Sequence, residues 1–197
     1  MTALRRFGLL APLAAFSLAG CGLNSVPTAE EQVNAAWGNL QSEYQRRSDL
    51  IPNLVATVQG YAKQERDVLI EVTEARASAG RVQLSADDLD DPAKVRAFND
   101  AQSRISSAII PLQRLQEAYP DLKSNTNFLT LQSQIEGTEN SILVGRRDYN
   151  EAVQAYNTRI RTFPDAIGAK VFYGAKPKVP FEATAGSQAA PKVDFNT

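Results

Sequence analysis

Large apolar side chains recur along this chain at alternating steps of four and three residues. Three stretches keep this spacing: Val33 to Ala79, Val95 to Tyr119 and Phe128 to Ile160. Such steps place side chains along one stripe of an α-helix, a pattern typical of helices packed against other helices. The pattern therefore predicts an all-α fold, with a helical bundle between residues 29 and 163.

Two charged residues, Arg47 and Glu65, occupy positions on the first apolar stripe. An unpaired charge on a buried stripe is costly. We therefore expect each side chain to pair with another group, to reach solvent with its charged end, or to mark an end of the bundle.

The order of the helices depends on Pro52, which interrupts the first stretch. Proline lacks the backbone N–H that would bond to Ser48, and it disfavours a helical Ile51. A turn near residues 49–52 gives segments of roughly 20, 28, 28 and 38 residues, and we favour their stacking as an antiparallel up-and-down four-helix bundle. The alternative is three long helices with the first kinked at Pro52. That first helix, of roughly 50 residues, would extend about 75 Å and leave half of its length without a partner.

The first 28 residues predict export and lipid attachment. Arg5 and Arg6 precede an apolar run over residues 7–18, which leads into Leu-Ala-Gly-Cys ending at Cys21. This is typical of a bacterial lipoprotein signal peptide, residues 1–20, whose removal leaves a cysteine that carries lipid. A plain secretory signal with a chance cysteine is the alternative. Residues 21–28 would then comprise the lipidated cysteine and a spacer.

Lipidation is favoured because Cys21 is the only cysteine, which excludes an intramolecular disulfide. Several acyl chains on Cys21 would hold the protein on a membrane. The sequence thus predicts a membrane-anchored lipoprotein of the cell envelope with its domain outside the cytoplasm. Because Gly22 follows the cysteine, the outer membrane is favoured if the bacterium has one.

Composition argues against an enzyme. The 197 residues include 21 basic and 22 acidic side chains but no histidine. A Ser-His-Asp triad, a histidine zinc site and a Glu-x-x-His di-iron site are therefore excluded. Interspersed charges and an isoelectric point of about 5.6 argue against nucleic-acid binding. The acidic run at residues 87–91 precedes a proline and is interpreted as a loop and helix cap. No catalytic residue, metal or cofactor is predicted.

Short sequence blocks in a fixed order lie between about residue 33 and about residue 181. They are Ala36–Leu40, Arg46–Val55, Gly60–Ala62, Glu74–Ala77, Tyr119–Lys123, Asn127–Leu129, Glu136–Asn140, Arg146–Asn150 and Phe163–Pro164. In these blocks the chain resembles the LemA family of membrane-attached bacterial helical proteins. The resemblance implies an antiparallel helical bundle, a poorly defined molecular role and no catalytic residues. Many members of that family have an uncleaved transmembrane helix at the N-terminus, whereas this chain has the lipoprotein-type cysteine.

Eight charged residues form a candidate binding face for a partner or ligand. We favour a structural role for them. Arginines near a helix C-terminus complement the helix dipole, and charges three or four residues apart pair along one helix face. The eight are Arg46, Arg47, Asp49, Glu136, Glu139, Arg146, Arg147 and Asp148.

The segment 164–182 loses the helical spacing and is predicted to be an extended aromatic and basic tail, since it contains prolines at positions 177 and 180. Its aromatic residues Phe172, Tyr173 and Phe181 are expected to cover the end of the bundle. The alternative is that they rest at a lipid interface with the lysines near anionic headgroups. Residues 183–197 are small and polar, and are predicted to be disordered.

Together these observations predict a non-enzymatic, lipid-anchored envelope protein that acts as a protein-interaction or scaffold module for an envelope protein partner. The alternative is a bundle that binds a small molecule or a peptide near Trp37, Tyr61 and Tyr149. A hydrolase with paired carboxylates is a third hypothesis, and nothing in the sequence places such a pair.

Overall fold

The computed structural model describes residues 24–182, and the regular structure in that range is helical throughout. This confirms the predicted all-α fold. The predicted signal peptide, Cys21 and the segment 183–197 lie outside the described residues. The helices are α1 Ser25–Tyr61, α2 Arg66–Arg81, α3 Pro92–Ala118, α4 Pro120–Lys123, α5 Thr126–Arg159 and α6 Asp165–Gly168, with a 3-10 turn at Ala86–Asp90 and a π-helical turn at Ala169–Tyr173.

The two longest helices, α1 and α5, pack side by side in opposite directions. At one end, Arg159 of α5 donates from Nη1 to the carbonyl of Ser25, at 3.2 Å. At the other end, Asn125 donates from Nδ2 to the hydroxyl of Tyr61, at 2.7 Å. The start of α1 and the end of α5 therefore lie together.

The shorter helices α2 and α3 complete the packing. α2 returns along the second half of α1, where Arg76 contacts Ser48. α3 then reverses direction, so that the hydroxyl of Tyr119 donates to Glu65 at 2.9 Å beside the start of α2. Among residues 24–182, no helix combines the length and the apolar character needed to span a bilayer.

The predicted turn at residues 49–52 is wrong. α1 is helical on both sides of Pro52 and ends at Tyr61, so the chain first turns at residues 62–65. The predicted segment lengths are therefore not observed, and neither is a single kinked helix that continues to Ala79.

A contact from another helix explains why α1 tolerates Pro52. In an uninterrupted helix, the N–H of residue 52 would bond to the carbonyl of Ser48, and proline has no N–H to donate. Arg76 of α2 donates from Nε to this same carbonyl, at 2.8 Å. A side chain on α2 thus replaces the hydrogen bond that Pro52 removes from α1.

Two clusters of buried apolar side chains form the core. The first joins the N-terminal half of α1 to the C-terminal half of α5 and includes Trp37, Phe98 and Tyr149. The second joins the rest of α1 to α2, α3 and the first half of α5, and includes Leu54 and Phe128. The bundle thus has one core cluster towards each end.

The C-terminal segment differs in part from the expected extended tail. Residues 165–173 are helical, comprising α6 and the π-helical turn. Gly174 follows with a φ of 55°, a left-handed conformation that glycine adopts without steric cost. From there residues 175–182 run back along α5 without regular secondary structure.

The contact between Arg76 and Ser48 leads to a testable prediction about Pro52. Replacing Arg76→Ala should lower the free energy of unfolding by about 1–2 kcal/mol, because it leaves the Ser48 carbonyl without a donor. In a Pro52→Ala background the helix supplies its own N–H, so the same replacement should cost clearly less. Urea denaturation followed by circular dichroism measures both effects.

The exposed Arg66, also on α2, provides the control for this cycle. Arg66→Ala should change the free energy of unfolding by no more than about 0.5 kcal/mol in either background. An Arg76→Ala effect that is the same with and without Pro52 would show that the two residues are not coupled.

Candidate functional site

Arg47 is the candidate residue with the most contacts, and its side chain is only 1% exposed. Its Nη1 donates to Oγ of Ser106 at 2.7 Å and to Oε1 of Glu139 at 2.8 Å. Its Nη2 donates to the backbone carbonyl of Gln102 at 3.1 Å and to the side-chain oxygen of the same residue at 2.6 Å. The guanidinium carbon also lies 5.4 Å from the ring centroid of Tyr44. One cation therefore joins α1, α3 and α5.

We call Arg47, Gln102, Ser106 and Glu139 the polar layer. On α1 and α5 it separates the two core clusters: Tyr44 and Ile142 belong to the first cluster, and Ile51 and Ile135 belong to the second. On α3 the boundary falls between Phe98 and Ala101, just before Gln102. Of the three possibilities that the sequence left open for Arg47, the structure shows pairing. Its carboxylate partner, Glu139, has a side chain that is 36% exposed, so the ion pair joins a buried cation to a carboxylate at the edge of the bundle.

Five of the eight candidates are exposed: Arg46 and Asp49 on α1, and Glu136, Arg147 and Asp148 on α5. Exposed pairs of this kind stabilise a protein by about 0–1 kcal/mol. Asp49 accepts from Gln45 at 2.8 Å, Glu136 accepts from Gln132 at 3.1 Å, and Arg147 contacts Asp148 at 3.1 Å and Glu151 at 3.7 Å. As a face for a partner they remain a prediction.

Arg146, the remaining candidate, holds the C-terminal segment against the bundle. Its Nη2 donates to Oδ1 of Asn99 at 2.9 Å and to the carbonyl of Glu182 at 2.7 Å. The guanidinium carbon lies 5.5 Å from the ring centroid of Phe181. That ring is buried in the first core cluster, 5.0 Å from the ring of Tyr149. Phe181 is therefore part of the core.

Two asparagines of α5, which the sequence analysis did not single out, bind the same segment through its backbone. Asn150 donates to the carbonyl of Phe181 and accepts from its N–H, at 2.9 and 2.8 Å. Asn157 does the same with Lys178, at 2.8 and 2.9 Å. Seven helical residues rise about 10.5 Å and three residues of polyproline II span about 9.3 Å, so the two spacings nearly match.

The predicted pocket near Trp37, Tyr61 and Tyr149 is not observed. The rings of Trp37 and Tyr149 contact each other within the core, with centroids 6.0 Å apart. Tyr61 lies at the opposite end of α1, about 36 Å along the helix from Trp37 by helical rise. These three aromatics therefore cannot line one pocket.

A cleft of about 420 Å³ lies instead between α1, the end of α2 with the loop that follows it, and α3. Four glutamines and two serines contribute its polar groups, and no charged side chain lines it. Tyr44 also lines it, and its hydroxyl is buried without a hydrogen-bond partner among the described residues. The glutamines and serines are Gln41, Gln45, Gln83, Gln102, Ser48 and Ser85.

Several titratable groups among the described residues have shifted pKa values. Hydrogen bonds from Lys94 and Ser85 hold the pKa of Asp88 well below its usual range, at the 3-10 turn where a loop and cap were predicted. Burial raises the pKa of the Tyr44 and Tyr149 hydroxyls, so both stay protonated at neutral pH. Within residues 24–182 no group of three metal-ligating side chains could hold an ion.

The end of the bundle where α1 begins carries exposed apolar side chains, which we call the end patch. They are Phe163, Ile167, Val171 and Phe172, with exposed fractions of 82%, 57%, 68% and 68%. Arg159 ties this region to α1, because it bonds the carbonyl of Ser25 and lies 3.8 Å from the carboxylate of Asp165, the first residue of α6.

The described residues thus form an all-helical protein in which the polar layer joins three helices and the C-terminal segment is bound along α5. A family model described as the LemA family matches residues 36–195. The chain therefore belongs to the LemA family, as the resemblance in its short sequence blocks indicated.

Individual relatives are more distant. Protein LemA of Metamycoplasma hominis is 26% identical over 140 residues, which cover 71% of this chain and 60% of the relative. The magnetosome proteins MamQ 1 and MamQ 2 of Paramagnetospirillum magneticum are each 24% identical over 157 residues, covering 72% of this chain and 58% of the relative. The chain thus spans about three fifths of the length of these relatives.

The polar layer predicts an asymmetry between two glutamates of α5. Glu139→Ala should lower the free energy of unfolding by about 1.5–3 kcal/mol, because it removes a charge-assisted hydrogen bond from the buried cation of Arg47. Glu136→Ala, three residues away on the same helix and exposed, should change it by no more than about 0.5 kcal/mol. Urea denaturation measures both, and equal effects would show that the polar layer does not depend on this ion pair.

Proposed function

We propose that this protein is a lipid-anchored member of the LemA family in the bacterial envelope, attached through Cys21, and that its helices form a protein-interaction or scaffold module. The observation that carries the proposal is the position of α1, which begins at Ser25, four residues after that cysteine. Four residues span at most about 14 Å. A lipid on Cys21 would therefore hold the Ser25 end of the bundle close to the membrane.

Such an anchor would set the direction of the whole bundle. α1 has 37 residues and rises about 55 Å, so its Tyr61 end would lie far from the lipid surface. A helical protein that stands away from a membrane offers long helix faces to other envelope proteins. The similarity to proteins named LemA and MamQ is in keeping with membrane association, and Gly22 favours the outer membrane where the bacterium has one.

The contacts of the charged residues support a non-enzymatic role. Arg47 and Glu139 neutralise each other in the polar layer, and Arg146 holds the C-terminal segment. Catalysis by a carboxylate pair needs one carboxyl group with a raised pKa near a second one. The pKa values of Asp88 and Asp90 are instead lowered, because lysines donate hydrogen bonds to their carboxylates.

A second candidate function is the binding of a small neutral molecule or a peptide. The cleft lined by Tyr44 and the four glutamines favours it, since its size falls in the range of ligand sites and its lining is polar without charge. Amide side chains can both donate and accept hydrogen bonds, as a peptide backbone or an amide-containing ligand requires.

The anchor is tested with Cys21→Ser in the full chain. The unchanged protein should sediment with membranes and incorporate labelled palmitate in cells. The variant should do neither, while its helical circular dichroism stays the same. A variant that still sediments with membranes after a high-salt wash would contradict the anchor.

The ligand hypothesis is tested with two helical glycines at which an added β-carbon meets nothing within 4 Å. Gly80 lines the cleft and Gly38 does not. Native mass spectrometry of protein extracted from its own envelope should show a bound mass that Gly80→Phe removes and Gly38→Phe retains. A protein without any bound mass, or one that loses it equally in both variants, would count against a ligand in the cleft.

A further inference from the structure

The end patch reverses the usual polarity of a surface helix. Along residues 165–173 the buried positions are the small residues Gly168 and Ala169, and Ala169 packs in the same core cluster as Val26 and Ala29 of α1. The large apolar residues of this segment point outwards. A helix in a water-soluble domain normally turns its large apolar side chains towards the core.

Spacing places these side chains on one surface. Ile167 and Val171 lie four residues apart in the helical segment 165–173, Phe172 is adjacent to Val171, and Phe163 lies in the turn that leads into this segment. Lys170 and Arg161 are exposed in the same segment. Clustered exposed apolar residues mark a binding surface for a protein or a membrane, and neighbouring basic side chains suit anionic lipid headgroups.

The location of the end patch distinguishes between these occupants. Arg159 bonds to both Ser25 and Asp165, so the patch adjoins the start of α1 and lies at the end nearest to Cys21. Four side chains also offer only a few hundred Å² of apolar area, well below the roughly 800 Å² per partner of a standard protein interface. The observations therefore favour a lipid surface over a second copy of the chain.

We infer that the end patch inserts Phe163, Ile167, Val171 and Phe172 into the outer part of the bilayer that carries the anchor. This inference rests on the proposed attachment through Cys21. A lipid anchor is a single point of attachment and would by itself allow the bundle to tilt. A second apolar contact at the same end of the bundle, made by residues that follow α5, restricts this tilt and fixes the orientation of the bundle relative to the membrane.

The test uses the full lipidated chain in vesicles of phosphatidylethanolamine and phosphatidylglycerol whose acyl chains carry bromine, a short-range quencher. Phe172→Cys introduces a thiol for an environment-sensitive fluorophore. Leu143→Cys is the matched control, because Leu143 is also 68% exposed but lies about 24 Å along α5 from Arg159 by helical rise. Both replacements affect exposed side chains, so the bundle should fold in each.

A fluorophore at position 172 should be quenched several-fold more strongly by brominated lipid than by ordinary lipid. A fluorophore at position 143 should show the same fluorescence in both lipids. Equal quenching at the two positions overturns the inference. The inference is also overturned if the fluorescence at position 172 changes with the number of protein chains per vesicle and not with bromination of the lipid. That result is expected for contact between two copies of the chain. Val171→Cys repeats the measurement at a second patch position.

The labelling yield of the unchanged chain separates this inference from the proposed function. Acylated Cys21 has no free thiol, so the unchanged chain should take up no fluorophore. Uptake by the unchanged chain overturns the anchor, and the inference that rests on it. No uptake combined with equal quenching overturns the end patch alone.

Discussion

The buried guanidinium of Arg47 is the constraint on which the rest of the bundle depends. An arginine cannot lose its charge in a protein, so burying it requires partners for its N–H groups. Partners for Nη1 and Nη2 come from α3 and α5, at Gln102, Ser106 and Glu139, whereas Nε has no hydrogen-bond partner among the described residues. The axial positions of α3 and α5 relative to α1 are therefore fixed. A shift by a turn, about 5.4 Å, would leave a buried cation unpaired, whereas the apolar clusters on either side could repack.

Similar pairings fix the parts of the fold that local sequence would leave undecided. Arg76 donates to the Ser48 carbonyl in place of the N–H that Pro52 lacks. This contact allows α1 to continue and fixes the axial position of α2 relative to α1. Asn150 and Asn157 each donate a hydrogen bond to a backbone carbonyl of the C-terminal segment and accept one from a backbone N–H. They satisfy the backbone groups that a neighbouring β-strand would satisfy in a sheet. In each case a polar side chain satisfies backbone groups that would otherwise be unpaired next to the core, at a cost of about 1–3 kcal/mol for each unpaired group.

Helix content could be predicted from the sequence, because apolar spacing is a local signal. The start of α3 follows likewise, since Asp91 accepts from the N–H groups of Ala93 and Lys94. The charge of Arg47 on an apolar stripe is also visible, but the sequence does not show whether this charge is paired, reaches solvent or marks an end of the bundle. The first turn could not be placed, because Pro52 is compensated by a residue 24 positions further along the chain. The outward direction of the apolar side chains in residues 165–173 could not be predicted either. It arises because the small residues Gly168 and Ala169 face the core, and this depends on their packing near α1.

The division of the bundle by the polar layer also has a consequence for binding. The cleft is lined by residues 41–48 of α1, which begin about 24 Å and end about 35 Å from Ser25 by helical rise. It lies at the level of the polar layer, and Gln102 contributes to both. Since Gln102 bonds to Arg47, a ligand that competes for this amide would disturb the one interaction that aligns α1, α3 and α5. Occupation of the cleft would thereby act on helix packing midway along the bundle, far from the end that carries the patch.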